Sequence, residues 1–186
     1  MSQINQSTRS TLSSRAGAEQ DIAPTPPSTL FADEADEALA VTKYQQELLD
    51  RAEHYLKRLR LLAAISYEAE NPDHNLLNTE FRQLEKSLGE VLGSELNNRP
   101  VFRRGNYSVD LNQGGNKLVL PGVHSLRSFL PKLQKASILD KATAEQALET
   151  VKTAFKHVAM DEAVSIENGT RLTFLTRHFE EVKETL

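Results

Sequence analysis

The side chains that could do chemistry in this chain are few and scattered. Histidines stand at His54, His74, His124, His157 and His178, and no two are three or four residues apart. A helix-borne metal pair needs that spacing, and no cysteine is present to complete a thiolate site. The pattern predicts scattered surface histidines and no metal. Glu68/Glu70 and Glu180/Glu181 are paired carboxylates. Neighbours on a helix diverge by about 100°, so Glu180 and Glu181 cannot share a proton or flank one bond. Gly114-Gly115 invites a phosphate-loop reading, but the Gly-Lys-Ser/Thr ending is missing and the sequence around it reads as a strand-to-strand turn. No Gly-x-Ser-x-Gly elbow occurs. The expectation is a non-catalytic protein without cofactors.

Two basic groups remain. Lys57, Arg58 and Arg60 form a cluster whose plain reading is a solvated helix flank, with Glu53 and Lys57 at ion-pair spacing. Arg103-Arg104 follow Phe102 at the foot of a turn-rich region, where they could meet an acidic partner or simply aid solubility. Neither group is long enough to track a phosphate backbone, and the net charge is −4, so nucleic acid is not expected.

The elements that must carry these residues are helical. Tyr44, Leu48, Ala52, Tyr55, Leu59 and Leu62 recur at threes and fours, as do Leu77, Phe81, Leu84, Leu88 and Val91. Leu148, Val151, Phe155 and Val158 start a third stripe, which Leu172, Leu175, Phe179, Val182 and Leu186 resume. Such spacing predicts long helices that bury a narrow seam against other helices. An aromatic content of 6% and no Trp suit thin Leu/Ala layers better than a broad core. No apolar run approaches the roughly 20 residues that span a bilayer, and no basic-then-apolar signal pattern opens the chain.

Residues 1–31 are rich in Ser, Thr, Gln, Asn and Pro, and read as a disordered tail available for export or docking. A first helix is expected from about Asp33 to Ala69, stopped before Pro72, and a second from about Asp73 to Leu96, stopped by Asn97-Asn98-Arg99-Pro100. Tyr107, Val109 and Leu111 alternate with polar residues, and an Asn/Gly turn leads to Lys117–Leu120. This predicts a β-hairpin within about 101–121. A short helix is expected over Val123–Lys135. A long final helix should start near Asp140 or Thr143, with Thr143 and Gln146 at capping-box spacing and a kink near Asn168-Gly169. The fold class is mainly α: an elongated antiparallel bundle of three long helices with one β-hairpin, occupying 32–186.

Three stretches carry a resemblance. The first is Glu47-Leu48-Leu49-Asp50-Arg51-Ala52 through Leu56-Lys57-Arg58-Leu59-Arg60-Leu61-Leu62-Ala63. The second runs from Asn78-Thr79-Glu80-Phe81 to Asn97-Asn98-Arg99-Pro100-Val101-Phe102, and the third is Thr143-Ala144-Glu145-Gln146-Ala147-Leu148-Glu149-Thr150-Val151. In order and in grammar they resemble the core domain of bacterial flagellins and hook–filament junction proteins. The resemblance implies a non-catalytic structural or protein-interaction component, with flagellar subunits or assembly factors as partners. It also implies a place in the flagellum or outside the cell, reached without a cleaved signal. In that family the arginine-bearing stretch matching Arg58 and Arg60 is a contact surface between subunits and the patch read by a vertebrate Toll-like receptor. These two, with Lys57, Arg103 and Arg104, are therefore the expected contact residues. The family's additional terminal helices have no counterpart here, which argues against self-polymerisation into an ordinary filament. A cytoplasmic helical adaptor or export chaperone, with a groove for a partner helix, is the competing expectation.

Overall fold

The computed structural model describes residues 27–111 and 115–184. The chain runs α1 (Pro27–Glu68), α2 (His74–Leu92), β1 (Glu95–Leu96), β2 (Arg99–Pro100), β3 (Tyr107–Asp110), β4 (Lys117–Leu120), α3 (Ser125–Leu133) and α4 (Lys141–Glu184). At 42 and 44 residues, α1 and α4 extend about 63 and 66 Å at 1.5 Å per residue. They lie side by side and antiparallel: Gln46 of α1 reaches the Ser165 carbonyl of α4, and Thr42 lies beside Gly169. The short α2 and α3 cover one side of the pair. α2 turns back along α1, and α3 packs on α4 and touches α2, so a short fourth helix closes the bundle.

The expected fold class holds, with differences in detail. Helix α1 starts at Pro27, six residues before the expected Asp33, so Asp33, Glu34, Asp36 and Glu37 lie past its first turn. Proline suits a first helical position because its missing N–H has no partner there to lose. The rest of the expected tail, residues 1–26, lies outside the described residues. Helix α2 ends at Leu92, four residues early, with Gly93 as its cap. Asn97 and Asn98 then take φ of 52° and 60° and turn the chain, pairing Glu95 with Pro100 and Leu96 with Arg99. Two consecutive left-handed residues match the twist of a tight hairpin, and Asn tolerates that region better than most. The residues expected merely to stop a helix thus build a second, smaller strand pair. The expected hairpin is present as β3–β4, with Tyr107 opposite Leu120 and Asp110 opposite Lys117. Most of its turn, 112–114, lies outside the described residues.

The start of α4 is capped three residues before the expected Thr143–Gln146 box, by Asp140. The Asp140 carboxylate accepts from the Thr143 amide at 2.8 Å, and the Thr143 hydroxyl accepts from the Asp140 amide at 3.2 Å. Helix α4 runs on through Asn168-Gly169, the place of the expected kink. A Cβ on Gly169 would meet Gln46 and Thr42 at ordinary contact distance, which places Gly169 at the α1–α4 contact.

Two apolar clusters result. The larger runs through the four-helix part and contains Leu48, Ala52, Leu59, Leu62, Phe81, Leu88, Val151 and Val158, all expected. The expected Tyr55, Leu84, Val91, Leu148 and Phe155 line its edge, half-buried. The smaller joins Ala35, Ala38, Val109, Leu120 and Leu172 where the β3–β4 hairpin covers the end of the helix pair.

Candidate interaction surface

The basic residues singled out by sequence do not converge. Lys57 is exposed and pairs with Glu53 at 2.6 Å, as its spacing predicted. Arg58 turns towards α2, where its guanidinium holds Glu80 at 2.6 Å. That pair bridges two helices 22 residues apart in sequence and was not anticipated. Arg60 is exposed, has no ionic partner among the described residues, and borders a shallow groove with Leu148, Lys152 and Phe155 of α4. Arg103 lies with its guanidinium carbon 4.1 Å from the Tyr107 ring centroid, and its backbone is pinned to Val123. Arg104 is exposed and has no ionic partner among the described residues. Tyr107 meets α1 at Thr42, 15 residues before Lys57, so the two basic groups stand about 22 Å apart along the rod.

What is brought together is one long face of the α1–α4 pair, on the side that α2 and α3 leave open. Leu39, Lys43, Gln46, Asp50, Glu53, Lys57, Arg60 and Ala64 recur at threes and fours along it. Towards the hairpin end, the face opens into a groove of about 570 Å³ lined by Leu39, Lys43, Gln46, Ile166, Phe174 and Arg177, among others. Phe174 is 76% exposed there and Ile166 59%. Large apolar side chains this exposed on a helix face are a mark of contact surfaces. Midway along, Glu162 faces Glu53 and Asp50. Burial pushes its carboxyl above the usual range, the two neighbouring carboxylates add to the push, and Lys57 opposes it.

Two serine–histidine contacts escaped the sequence reading, one joining segments 32 residues apart and the other spanning the α1–α2 corner, where no helical spacing links the pair. Ser125 Oγ and His157 Nδ1 are 2.6 Å apart, and Ser66 Oγ and His74 Nδ1 2.7 Å. The first has the spacing of a nucleophile and its base, but its surroundings are structural. The His157 ring is stacked on Phe129 at 4.6 Å. Asp161, the nearest acid on α4, accepts instead from the amides of His124, Ser125 and Leu126 at 3.2, 2.8 and 2.8 Å. It caps α3 from another helix, supplying what His124 at the cap position does not. Burial pushes the Asp161 carboxyl up, while the three amides and His124 pull it down. The second contact gathers Ser66 and His74 around the Ile138 carbonyl and ties the α1–α2 corner to the segment before α4. Among the described residues no group of His, Asp or Glu could hold a metal, and no helix is long and apolar enough to cross a membrane.

The fold defines a class: an α-helical rod with short covering elements on one side and an open helix face on the other. The fold is flagellin-like. A crystal structure of Bacillus cereus flagellin superposes with a TM-score of 0.70 at 18% identity, over 79% of this chain and 88% of that one. No family model matches the sequence, and no curated protein matches it either. A Leu/Ala seam fixes residue type at few positions, so a shared helical rod tolerates this much divergence.

Proposed function

We propose that this chain is a non-catalytic structural component of a bacterial flagellum, acting as a minor filament part or as an assembly protein. Its partners on this reading are flagellar subunits or assembly factors, and it is found on the flagellum or outside the cell after export without a cleaved signal. The observation that carries the proposal is the flagellin-like fold over 79% of the chain. The open α1–α4 face, with Phe174 and Ile166 exposed, supports a role in protein contact. Of the expected contact residues Lys57, Arg58, Arg60, Arg103 and Arg104, two, Arg60 and Arg104, have no ionic partner among the described residues. Lys57, Arg58 and Arg103 already hold partners within the chain.

Fractionation tests this. The chain should co-purify with sheared filaments or appear in culture supernatant, and should vanish from both when flagellar export is blocked. The groove beside Phe174 also supports a second reading, a cytoplasmic adaptor holding a partner helix. On that reading the chain stays in the cytosol, bound to one partner in fixed stoichiometry.

A further inference from the structure

Helix α3 is anchored at two places and crosses a weaker seam between them. Its N-terminus is held by Asp161 of α4, which accepts from the amides of His124, Ser125 and Leu126. Beyond its C-terminus, Ile138 is held on both sides: its carbonyl accepts from Ser66 at 2.8 Å, and its amide donates to Asn78 at 3.2 Å. Between these anchors the last turn of α3 meets α2. There one guanidinium nitrogen of Arg82 donates both to the Gln134 carbonyl and to Glu85, each at 2.8 Å. The other Glu85 oxygen is buried with no hydrogen-bond partner among the described residues. One turn on, Gly89 puts no side chain into the seam, and a shallow cleft runs between Arg82, Glu85, Gly89, Leu130 and Gln134. Pro131 has no N–H to donate, so α3 is one backbone bond short in this same turn.

We propose that the last turn of α3, Leu130 to Gln134, is a proton-operated flap that lifts from α2 when Glu85 loses its proton and closes when Glu85 regains it. A neutral carboxyl is tolerated in the seam, whereas an ionised oxygen without a donor is costly there, and an Arg82 that faces water offsets little of that cost. Lifting the flap lets water reach the bare oxygen. The anchors at His124–Leu126 and Ile138 keep the rest of α3 in place, and α2 stays seated on α1 through Phe81 and Leu88. No other charge competes for Glu85: burial raises its carboxyl and Arg82 alone opposes. The neighbouring cations are engaged elsewhere or face water. Lys132 of α3 stands over the Phe129 ring, Arg58 of α1 holds Glu80, Lys86 of α2 pairs with Glu90, and Lys135 past α3 is exposed. The sign follows from the two states. The closed seam holds the proton up to about 7, and an opened one releases it near 4.5. The closed form is therefore favoured most below 4.5, and the opening constant rises by about 50-fold from pH 5 to pH 8, levelling off above 7.

Amide hydrogen exchange on the full chain reads the flap. Protection factors, which remove the intrinsic pH dependence of exchange, are compared between pH 5 and pH 8. Those of Leu130, Leu133 and Gln134 should fall by about 50-fold over that interval and change little above pH 7. The same amides should be less protected than Val151 and Ala154 in the core of α4. They should also respond weakly to low urea, because lifting one turn exposes little surface, whereas the α4 amides wait for global unfolding. Glu85→Gln and Glu85→Leu should each remove most of the pH dependence at the flap. Two results overturn the proposal. One is a flap that exchanges only together with α4, at equal protection and equal urea sensitivity. The other is a pH dependence at the flap that persists in both variants. The first comparison needs only the unaltered chain, so it decides the matter even where a variant fails to fold.

Discussion

Glu85 places an acid where the fold cannot fully satisfy its charge. Its side chain on α2 is 4% exposed. One carboxylate oxygen holds Arg82 at 2.8 Å, and the other, Oε1, has no hydrogen-bond partner. Arg82 is itself 41% exposed, so water screens much of what it could return. Burial therefore wins over the guanidinium and pushes the carboxyl up to about 7 from 4.5. A carboxyl raised in the folded state binds its proton more tightly there than when unfolded. Stability is then greatest below about 4.5 and falls as pH rises towards 7. The full shift corresponds to about 3 kcal/mol, most of it between pH 5 and pH 8. Other groups titrate in the same window, so the measurement is a difference. Urea unfolding of the unaltered chain and of Glu85→Gln is compared at pH 5 and pH 8. The unaltered chain should lose about 2–3 kcal/mol more than the amide variant across that interval. Equal losses would refute the argument that an ionised Glu85 is held in the fold at a cost.

Other substitutions probe the scaffold. Leu59→Ala and Leu88→Ala remove fully buried side chains from the larger core and should each cost about 2–5 kcal/mol in denaturant unfolding; indifference to both would remove the proposed seam. Asp161→Ala strips the cap from α3 and leaves its first amides unpaired, at a cost of about 1–3 kcal/mol. The sign of success is faster amide hydrogen exchange at Ser125 and Leu126 with little change in α2. Gly122→Ala puts a Cβ at 2.4 Å from the Arg103 carbonyl and 2.6 Å from that of Gly105, a clash with backbone that only a shift of the loop relieves. It should lower stability by about 1–3 kcal/mol, whereas the same change at Gly105, where nothing lies within 4 Å, should not.

The apolar seams were legible because they obey a local rule. Leu48, Ala52, Leu59, Phe81, Leu88, Val151 and Val158 repeat with the helix period, and all are buried. What escaped depends on pairs far apart in sequence. Asn97-Asn98 carried a recognisable hairpin signal, but two-residue strands leave no alternating pattern to confirm it. Arg58 looked like a free surface cation, and only the antiparallel return of α2 brings Glu80 to it. The apolar stripe lapses between Val158 and Leu172, which suggested a register shift or a local break in α4. The apolar period fails there because α1 and the connecting segments offer polar partners in place of a greasy seam.

That polar layer has a structural consequence. Asn168 donates to the Pro121 carbonyl at 3.0 Å, and Gln45 to the Val101 carbonyl at 2.8 Å. Gln46 reaches the Ser165 carbonyl, and the Thr42 hydroxyl lies 3.2 Å from the Tyr107 hydroxyl. The layer sits between the two apolar clusters, near the middle of the long helix pair. A seam of Leu and Ala alone fits nearly as well after a slip of one heptad, since dispersion and burial are not directional. Directional bonds from both long helices to the loops flanking the hairpins admit one alignment, because a slip would bury four amide or hydroxyl groups unpaired. The layer has a cost: Ser165 Oγ and Asn168 Oδ1 are buried with no hydrogen-bond partner among the described residues, each at about 1–3 kcal/mol. A protein selected only for stability would fill these positions with Leu. Their retention as polar groups fixes which residues of α1 and α4 share a face, because one heptad of slip would displace the two helices against each other by about 10 Å.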